Sequence, residues 1–140
     1  MGQSSHEIFG HTADLGLRVR AECFEGLCEA AAAGLTEVIA GDAAAVRPAV
    51  AETLCVTGDD PVWLLFDLLS ELLAAFELRR MLFAECRVSR TADGLRADCR
   101  GEPFDPARHH LAHEVKAITQ HELDVREDDA GWEATLILDI

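Results

Sequence analysis

Two acidic residues at opposite ends of the sequence, with the residue that follows the second, are the best candidates for a metal site. The sequence closes with Leu138-Asp139-Ile140. If Ile140 ends the chain, the Asp139 side chain and a main-chain carboxylate stand one residue apart, and Mg²⁺, Ca²⁺ and Mn²⁺ prefer such oxygen ligands. Asp14 is the third candidate, because it falls on the polar side of an alternating pattern. A chain with 26 acidic residues also has many solvated carboxylates, so spacing alone favours solvated carboxylates at strand ends over a metal site.

Four histidines that are close in sequence form a second candidate group: His109, His110, His113 and His121. Imidazoles can bind a transition metal or transfer protons. The H-H-x-x-H spacing matches no standard zinc motif, however, and no nucleophile accompanies it. We therefore expect surface or structural histidines.

The charge balance restricts the class of binding partner. Twelve Lys and Arg residues stand against 26 Asp and Glu residues, which gives a net charge of −14. Nucleic-acid binding needs clustered basic side chains, and an acidic surface repels a polyanion. We therefore expect no direct RNA or DNA binding. The surface suits a divalent cation, or a partner protein that is itself basic.

The cysteines and the N-terminal segment indicate the cellular compartment. The five cysteines include no C-x-x-C pair and no zinc-ligand spacing, so we expect reduced thiols in a cytoplasmic core. The first ten residues have no basic region and no apolar stretch, so we expect no signal peptide, and no apolar run is long enough to span a membrane.

The elements that must position these residues follow from hydrophobic periodicity. Residues 13–21 alternate in polarity and predict a half-buried strand that begins beside Asp14. Helical spacing runs from Phe24 to about Ala40, and Gly41 is a natural stop. Asp60-Pro61 predicts the start of a second helix. Its apolar stripe should form the centre of the core: Leu64, Leu65, Leu68, Leu69, Leu72, Leu73 and Phe76.

Period-two patterns predict the remaining strands, with turns at Ala92-Asp93-Gly94 and at residues 128–131. The predicted strands cover residues 50–57, 82–88, 95–99, 114–119, 121–126 and 132–139. We expect an α+β fold, with two helices packed on a mostly antiparallel β-sheet in a single domain over residues 1–140.

Several segments resemble the archease family, in the family's order. Residues 10–17 (G-H-T-A-D-L-G-L) resemble its opening, in which H-T-A-D-x-G follows a short N-terminal strand. Residues 115–123 resemble V-K-A-[VI]-T-Y-H-x-L, with Gln120 in place of the tyrosine. Residues 131–140 resemble the final strand and its D-I ending. The G-E-P-F-D-P-x-x-H loop and the leucine-rich helix also agree in spacing.

The resemblance implies a role as a non-enzymatic cofactor of an RtcB-type RNA ligase, which joins RNA ends in tRNA splicing and repair. Such a protein promotes guanylylation of the ligase's active-site histidine and allows multiple turnover, while the GTP and Mn²⁺ chemistry belongs to the ligase. The family's metal site maps to Asp14, Asp139 and Ile140. These are the oxygen donors that chemistry alone selects. Lys116 and His121 become candidates for partner contact, although simple strand structure explains them equally well.

Two further interpretations remain open. One is a general chaperone or scaffold for nucleic-acid-modifying enzymes such as methyltransferases, with a structural metal. The other is a metal-dependent hydrolase that uses the Asp14–Asp139 site. The hydrolase would need a pocket beside the metal and a general base within hydrogen-bond reach of a bound water.

Overall fold

The computed structural model describes residues 3–11 and 14–140, except for the side chain of His11. Residue 13, where the first predicted strand begins, lies outside the described part. The eight strands are β1 (Ser5–His11), β2 (Asp14–Ala21), β3 (Val50–Thr57), β4 (Met81–Arg90), β5 (Gly94–Pro103), β6 (Ala117–Ile118), β7 (Asp124–Asp128) and β8 (Gly131–Asp139). The two α-helices are α1 (Phe24–Ala40) and α2 (Pro61–Arg79), and a short 3-10 turn covers Ala43–Ala45.

The strands form two antiparallel sheets, which confirms the α+β class. The first sheet has the order β1-β2-β8-β6, and β7 also pairs with β8. The second has the order β3-β5-β4. β8 therefore hydrogen-bonds to three of the four other strands of its sheet, although it comes last in the sequence.

Capping contacts mark the starts of both helices and the end of α1. The Asp60 side chain accepts a hydrogen bond from the Val62 N–H at 3.0 Å and caps α2. The Cys23 sulfur accepts one from the Gly26 N–H at 3.4 Å at the start of α1. Gly41, with a φ of 76°, ends α1, as glycine does because it has no Cβ to strain a left-handed backbone.

The core lies between the helices and both sheets. The predicted leucine stripe of α2 is buried along its whole length. α1 contacts β1, β2 and β8 of the first sheet and β4 of the second. α2 contacts β3, β4 and β5 of the second sheet and β6 and β7 of the first. The helices thus hold the two sheets in a fixed relation.

Two predicted strands are shorter or displaced. The strand predicted at residues 114–119 covers only Ala117–Ile118, and the one predicted at 121–126 lies at Asp124–Asp128. A turn causes the displacement: the Thr119 hydroxyl oxygen accepts a hydrogen bond from the His121 N–H at 3.2 Å, and Glu122 has a φ of 53°. Positive φ ends an extended conformation, so β7 can begin only after the turn.

Candidate metal centre

The sheet register brings Asp14 and Asp139 together at one end of the first sheet. Asp14 of β2 and Asp139 of β8 are direct antiparallel partners. The same row continues to His11 of β1 and to Ala117 of β6. Residues directly opposite each other have Cα atoms about 4.5–5.5 Å apart and point to the same face. Two of the three predicted metal ligands therefore share one face at one level of the sheet.

Buried neighbours in both strands fix this register. Leu17 and Leu136, three residues further along the ladder, are partners and fully buried. A slip of one strand by one residue would turn the leucine of that strand toward solvent. Asp14 and Asp139 are themselves half-buried, at the edge of the core.

Ile140, the third predicted ligand, follows directly after Asp139 and is half-buried. Its side chain packs against the core. This anchor holds the main chain of residue 140 next to the Asp14–Asp139 pair. Within residues 3–11 and 14–140, no three His, Cys, Asp or Glu side chains form a group that could hold a metal ion. A metal held by the three predicted ligands would take its third protein oxygen from the main chain at Ile140, a hard donor like the two carboxylates.

The backbone of Lys116 contacts this end of β8, and Thr119 links β8 to the backbone of His121. The Lys116 N–H donates to the carbonyl oxygen of Asp139 at 2.7 Å. The Thr119 hydroxyl donates to the carbonyl oxygen of Ile137 at 2.9 Å and also accepts from the His121 N–H. The side chains of Lys116 and His121 are both exposed. The Lys116 backbone therefore lies beside Asp139, whereas the chain from Ala117 to Thr119 runs along β8 away from Asp139 and leads to His121.

The four histidines do not converge. His109 is buried, with 3% of its surface exposed, whereas His110, His113 and His121 are exposed. The expectation of structural or surface histidines agrees with these positions.

A buried carboxylate that the sequence analysis did not single out organises the loop before Lys116. Glu102, 6% exposed, accepts hydrogen bonds from the Arg108 guanidinium, from the His109 Nε2–H at 2.9 Å and from the Arg47 N–H at 2.7 Å. His109 Nδ1 in turn accepts from the Asp105 N–H at 2.8 Å. These contacts satisfy a carboxylate that would otherwise be costly to bury. Hydrogen bonds from Arg108, Arg47 and His109 lower the pKa of Glu102 to about 2.

This network fixes the course of residues 103–116, which lead from β5 to the site. The Ala112 N–H then donates to the Ile39 carbonyl oxygen at 2.8 Å, and Lys116 reaches Asp139. A regular alternation along β5 would place Glu102 on the exposed face, with Arg96, Asp98 and Arg100. The sequence pattern alone therefore could not reveal the network. The only sequence signal is the G-E-P-F-D-P-x-x-H loop itself.

No helix in the described parts of the chain is both long enough and apolar enough to cross a membrane.

Comparison with known proteins identifies relatives over nearly the full chain. The sequence model of the Archease protein family (MTH1598/TM1083) matches residues 6–140. A protein archease of Methanopyrus kandleri is 38% identical over 138 residues, covering 96% of this chain and 98% of the relative. One from Pyrococcus furiosus is 36% identical over 139 residues, covering 96% and 97%.

Solved structures agree with the fold described above. The solution structure of Methanobacterium thermoautotrophicum protein 1598 has a TM-score of 0.79 at 31% identity and covers 96% of this chain and 98% of that one. The crystal structure of a Thermotoga maritima archease, described as a possible chaperone, has a TM-score of 0.65 at 17% identity, with 94% of each chain covered. The family match and the curated relatives together show that this chain belongs to the archease family.

Proposed function

We propose that the chain is a non-catalytic activator of an RtcB-type RNA ligase and acts through a divalent-metal site formed by Asp14, Asp139 and Ile140. The observation that carries the proposal is the direct pairing of Asp14 with Asp139 in the β2–β8 ladder. The two residues are 125 positions apart in the sequence, and each belongs to a segment that resembles an archease motif.

The chemistry of the ligands supports a hard cation. Two carboxylates on one face of the sheet, with a main-chain oxygen at Ile140, suit Ca²⁺, Mg²⁺ or Mn²⁺. A divalent ion held there would offset phosphate charge during nucleotidyl transfer in the partner's active site. Asp14 and Asp139 would hold the ion at the end of the sheet, and the packed Ile140 side chain would keep the main-chain oxygen in place.

The charge of the chain supports a protein partner. A net charge of −14 repels RNA and attracts a protein that is basic because it binds RNA. Lys116 and His121, whose side chains are both exposed, would contact that partner. In this proposal the RNA and the nucleotide are bound by the ligase.

Ligation turnover tests the proposal. The cognate RtcB-type ligase would be assayed under single- and multiple-turnover conditions with the wild-type chain, with Asp139→Ala and with Asp67→Ala. Asp67 is an exposed carboxylate in the middle of α2, so its removal changes the net charge equally without touching the site. We expect the wild-type chain and Asp67→Ala to restore turnover, and Asp139→Ala to fail.

The other outcomes decide between the alternatives. If Asp139→Ala and a chain lacking Ile140 both activate fully, the metal site is not required and the chain acts as a chaperone or scaffold. The description of the Thermotoga maritima relative as a possible chaperone is the observation in favour of that second function. If the wild-type chain leaves the ligase unchanged, the activator role itself is wrong.

A further inference from the structure

We propose that a groove beside α2 binds a small phosphorylated sugar, either free or as part of a mononucleotide. The groove, with a volume of about 620 Å³, lies between the C-terminal end of α2 and the segment 111–116. Phe76, Glu77 and Arg80 line one side. Its size falls within the range of about 300–1,000 Å³ that is usual for small-molecule sites. This binding would occur in the isolated chain, without the ligase.

Arg80 is held in an unusual conformation at this groove. It caps α2 with a φ of 57° and a ψ of 28°, a left-handed backbone that glycine normally supplies at this position. Its N–H donates to the Phe76 carbonyl oxygen at 2.8 Å, and its own carbonyl oxygen accepts from the Phe104 N–H at 2.7 Å. Its guanidinium lies over the Phe76 ring, 5.1 Å from the ring centre. A strained backbone held on both sides is typical of functional positions.

Two cations without ion-pair partners meet at the groove. The neighbouring Arg79 pairs with Glu52, whereas neither Arg80 nor Lys116 forms an ion pair with any residue in the described ranges 3–11 and 14–140. Lys116 is the single lysine of the sequence. Arginine forks and lysine ammonium groups are the usual protein ligands of phosphate. Two cations that form no ion pair, in a chain with 26 acidic residues, favour an anionic ligand.

The other lining residues narrow the ligand class. Glu77 and Glu114 also line the groove, and both are exposed. Carboxylates there would repel a bare anion but accept hydrogen bonds from hydroxyl groups, as acidic residues do with ribose. Leu111, 45% exposed, offers apolar surface for a ring. A sugar phosphate matches all three kinds of lining group: its phosphate suits the cations, its hydroxyls suit the carboxylates, and its ring suits the apolar surface.

The net charge argues against a polymer. An RNA strand would extend over the acidic surface around the groove and be repelled there. A small ligand senses mainly the charges within a Debye length, about 8 Å at physiological salt, and so mainly those of the groove lining. That lining has two cations, Arg80 and Lys116, beside Glu77 and Glu114. The ligand is therefore small, whatever its source.

NMR titration of the full chain tests the proposal, with ribose 5-phosphate, AMP, ribose and inorganic phosphate as probes. We expect ribose 5-phosphate or AMP to shift the amide signals of Arg80 and of residues 111–116 saturably. Ribose should cause no shift, and inorganic phosphate should bind at least about tenfold more weakly, because it makes no hydroxyl contacts. If ribose 5-phosphate and AMP bind equally, the free sugar phosphate suffices; tighter binding of AMP assigns a nucleotide.

Variants separate binding from folding. Asn tolerates the left-handed backbone, so Arg80→Asn should keep the melting temperature of the wild type but weaken binding of ribose 5-phosphate at least about tenfold. Arg87→Gln is the matched control. Arg87 lies exposed on β4, forms no ion pair with any described residue and does not line the groove. Equal binding by Arg80→Asn and wild type would overturn the proposal. Equal affinity for inorganic phosphate and ribose 5-phosphate would overturn the assignment of a sugar.

Discussion

Asp14 and Asp139 are direct partners in an antiparallel ladder, one near the start of the sequence and the other near its end. Neither carboxylate alone distinguishes itself from the many acidic side chains of this surface. Their pairing brings the two carboxylates together, because facing residues of adjacent strands share one side of the sheet. The consequences of this arrangement can be measured on the isolated chain.

Divalent-metal affinity should depend on both carboxylates. Asp14→Asn and Asp139→Asn keep the shape of the side chain but remove one charged oxygen ligand each, so each should weaken Ca²⁺ or Mn²⁺ binding about tenfold or more. Isothermal titration calorimetry measures the affinity. Asp67→Asn, on the exposed face of α2, should bind as the wild type does. Wild-type affinity in Asp139→Asn would remove this residue from the site.

The Glu102 network should make stability depend on pH in a defined window. The pKa of Glu102 is lowered from 4.5 to about 2, so the folded state favours the carboxylate. Its contribution is complete above pH 4.5 and is lost as the pH falls from there toward 2. Glu102→Gln should therefore lower the free energy of unfolding by about 2–3 kcal/mol at pH 7, and by less at pH 3. Urea titrations at the two pH values measure the difference.

Glu71→Gln is the control for this experiment. Glu71 is exposed on α2 and makes no hydrogen bond or ion pair with any described residue, so its replacement should change the free energy of unfolding by less than about 0.5 kcal/mol at either pH. A Glu102→Gln difference that is the same at pH 7 and pH 3 would contradict the network.

Replacing glycine by alanine should destabilise the fold at Gly101 but not at Gly10. A Cβ at Gly101 would overlap the Leu82 carbonyl oxygen and come within 2.7 Å of the Phe83 Cα, both of which belong to the paired backbone of β4. Gly101→Ala should thus destabilise the fold by about 3 kcal/mol. A Cβ at Gly10 would meet no atom of the described residues within 4 Å, so Gly10→Ala should stay close to wild type. Thermal unfolding of both variants is sufficient, and similar melting temperatures would disprove the expectation.

Alkylation should distinguish the cysteines by burial. Cys55 is exposed, whereas Cys28 and Cys99 are buried. Burial raises the pKa of the Cys28 thiol far above its usual range, so almost no reactive thiolate forms there. With iodoacetamide at pH 8 the native chain should be modified first at Cys55, and Cys28 should react only in urea. Mass spectrometry of the peptides measures the order, and early labelling of Cys28 would contradict the core packing.

Local chemistry was enough to predict the helices and most strands. Strand β3 occurs over the predicted Val50–Thr57, and α2 begins at the predicted Asp60-Pro61. In both cases the signal lies within a few residues: an alternation, a capping side chain or a proline. The division of the strands into two sheets depends on contacts between distant segments. Hydrophobic periodicity contains no information about such contacts.

The sequence suggests the candidate residues but not how they are arranged in space. Hard oxygen donors selected Asp14 and Asp139 from the sequence, while their pairing depends on the register between strands more than 100 residues apart. Glu102 was missed because the alternation of β5 breaks after Arg100: Gly101 and Glu102 are both buried. The partners of this buried carboxylate, at positions 47, 108 and 109, are not regularly spaced, so no sequence pattern indicates them.

The place of β8 in its sheet also determines when the site can exist. Until residues 131–139 leave the ribosome, β2 has only β1 beside it, while β6 and β7 have no strand with which to pair. The nascent chain can complete the second sheet and both helices, yet it holds Asp14 on an unfinished hairpin. Asp14 therefore meets its partner Asp139 only after β8 has been synthesised, and a chain truncated before β8 would lack the carboxylate pair.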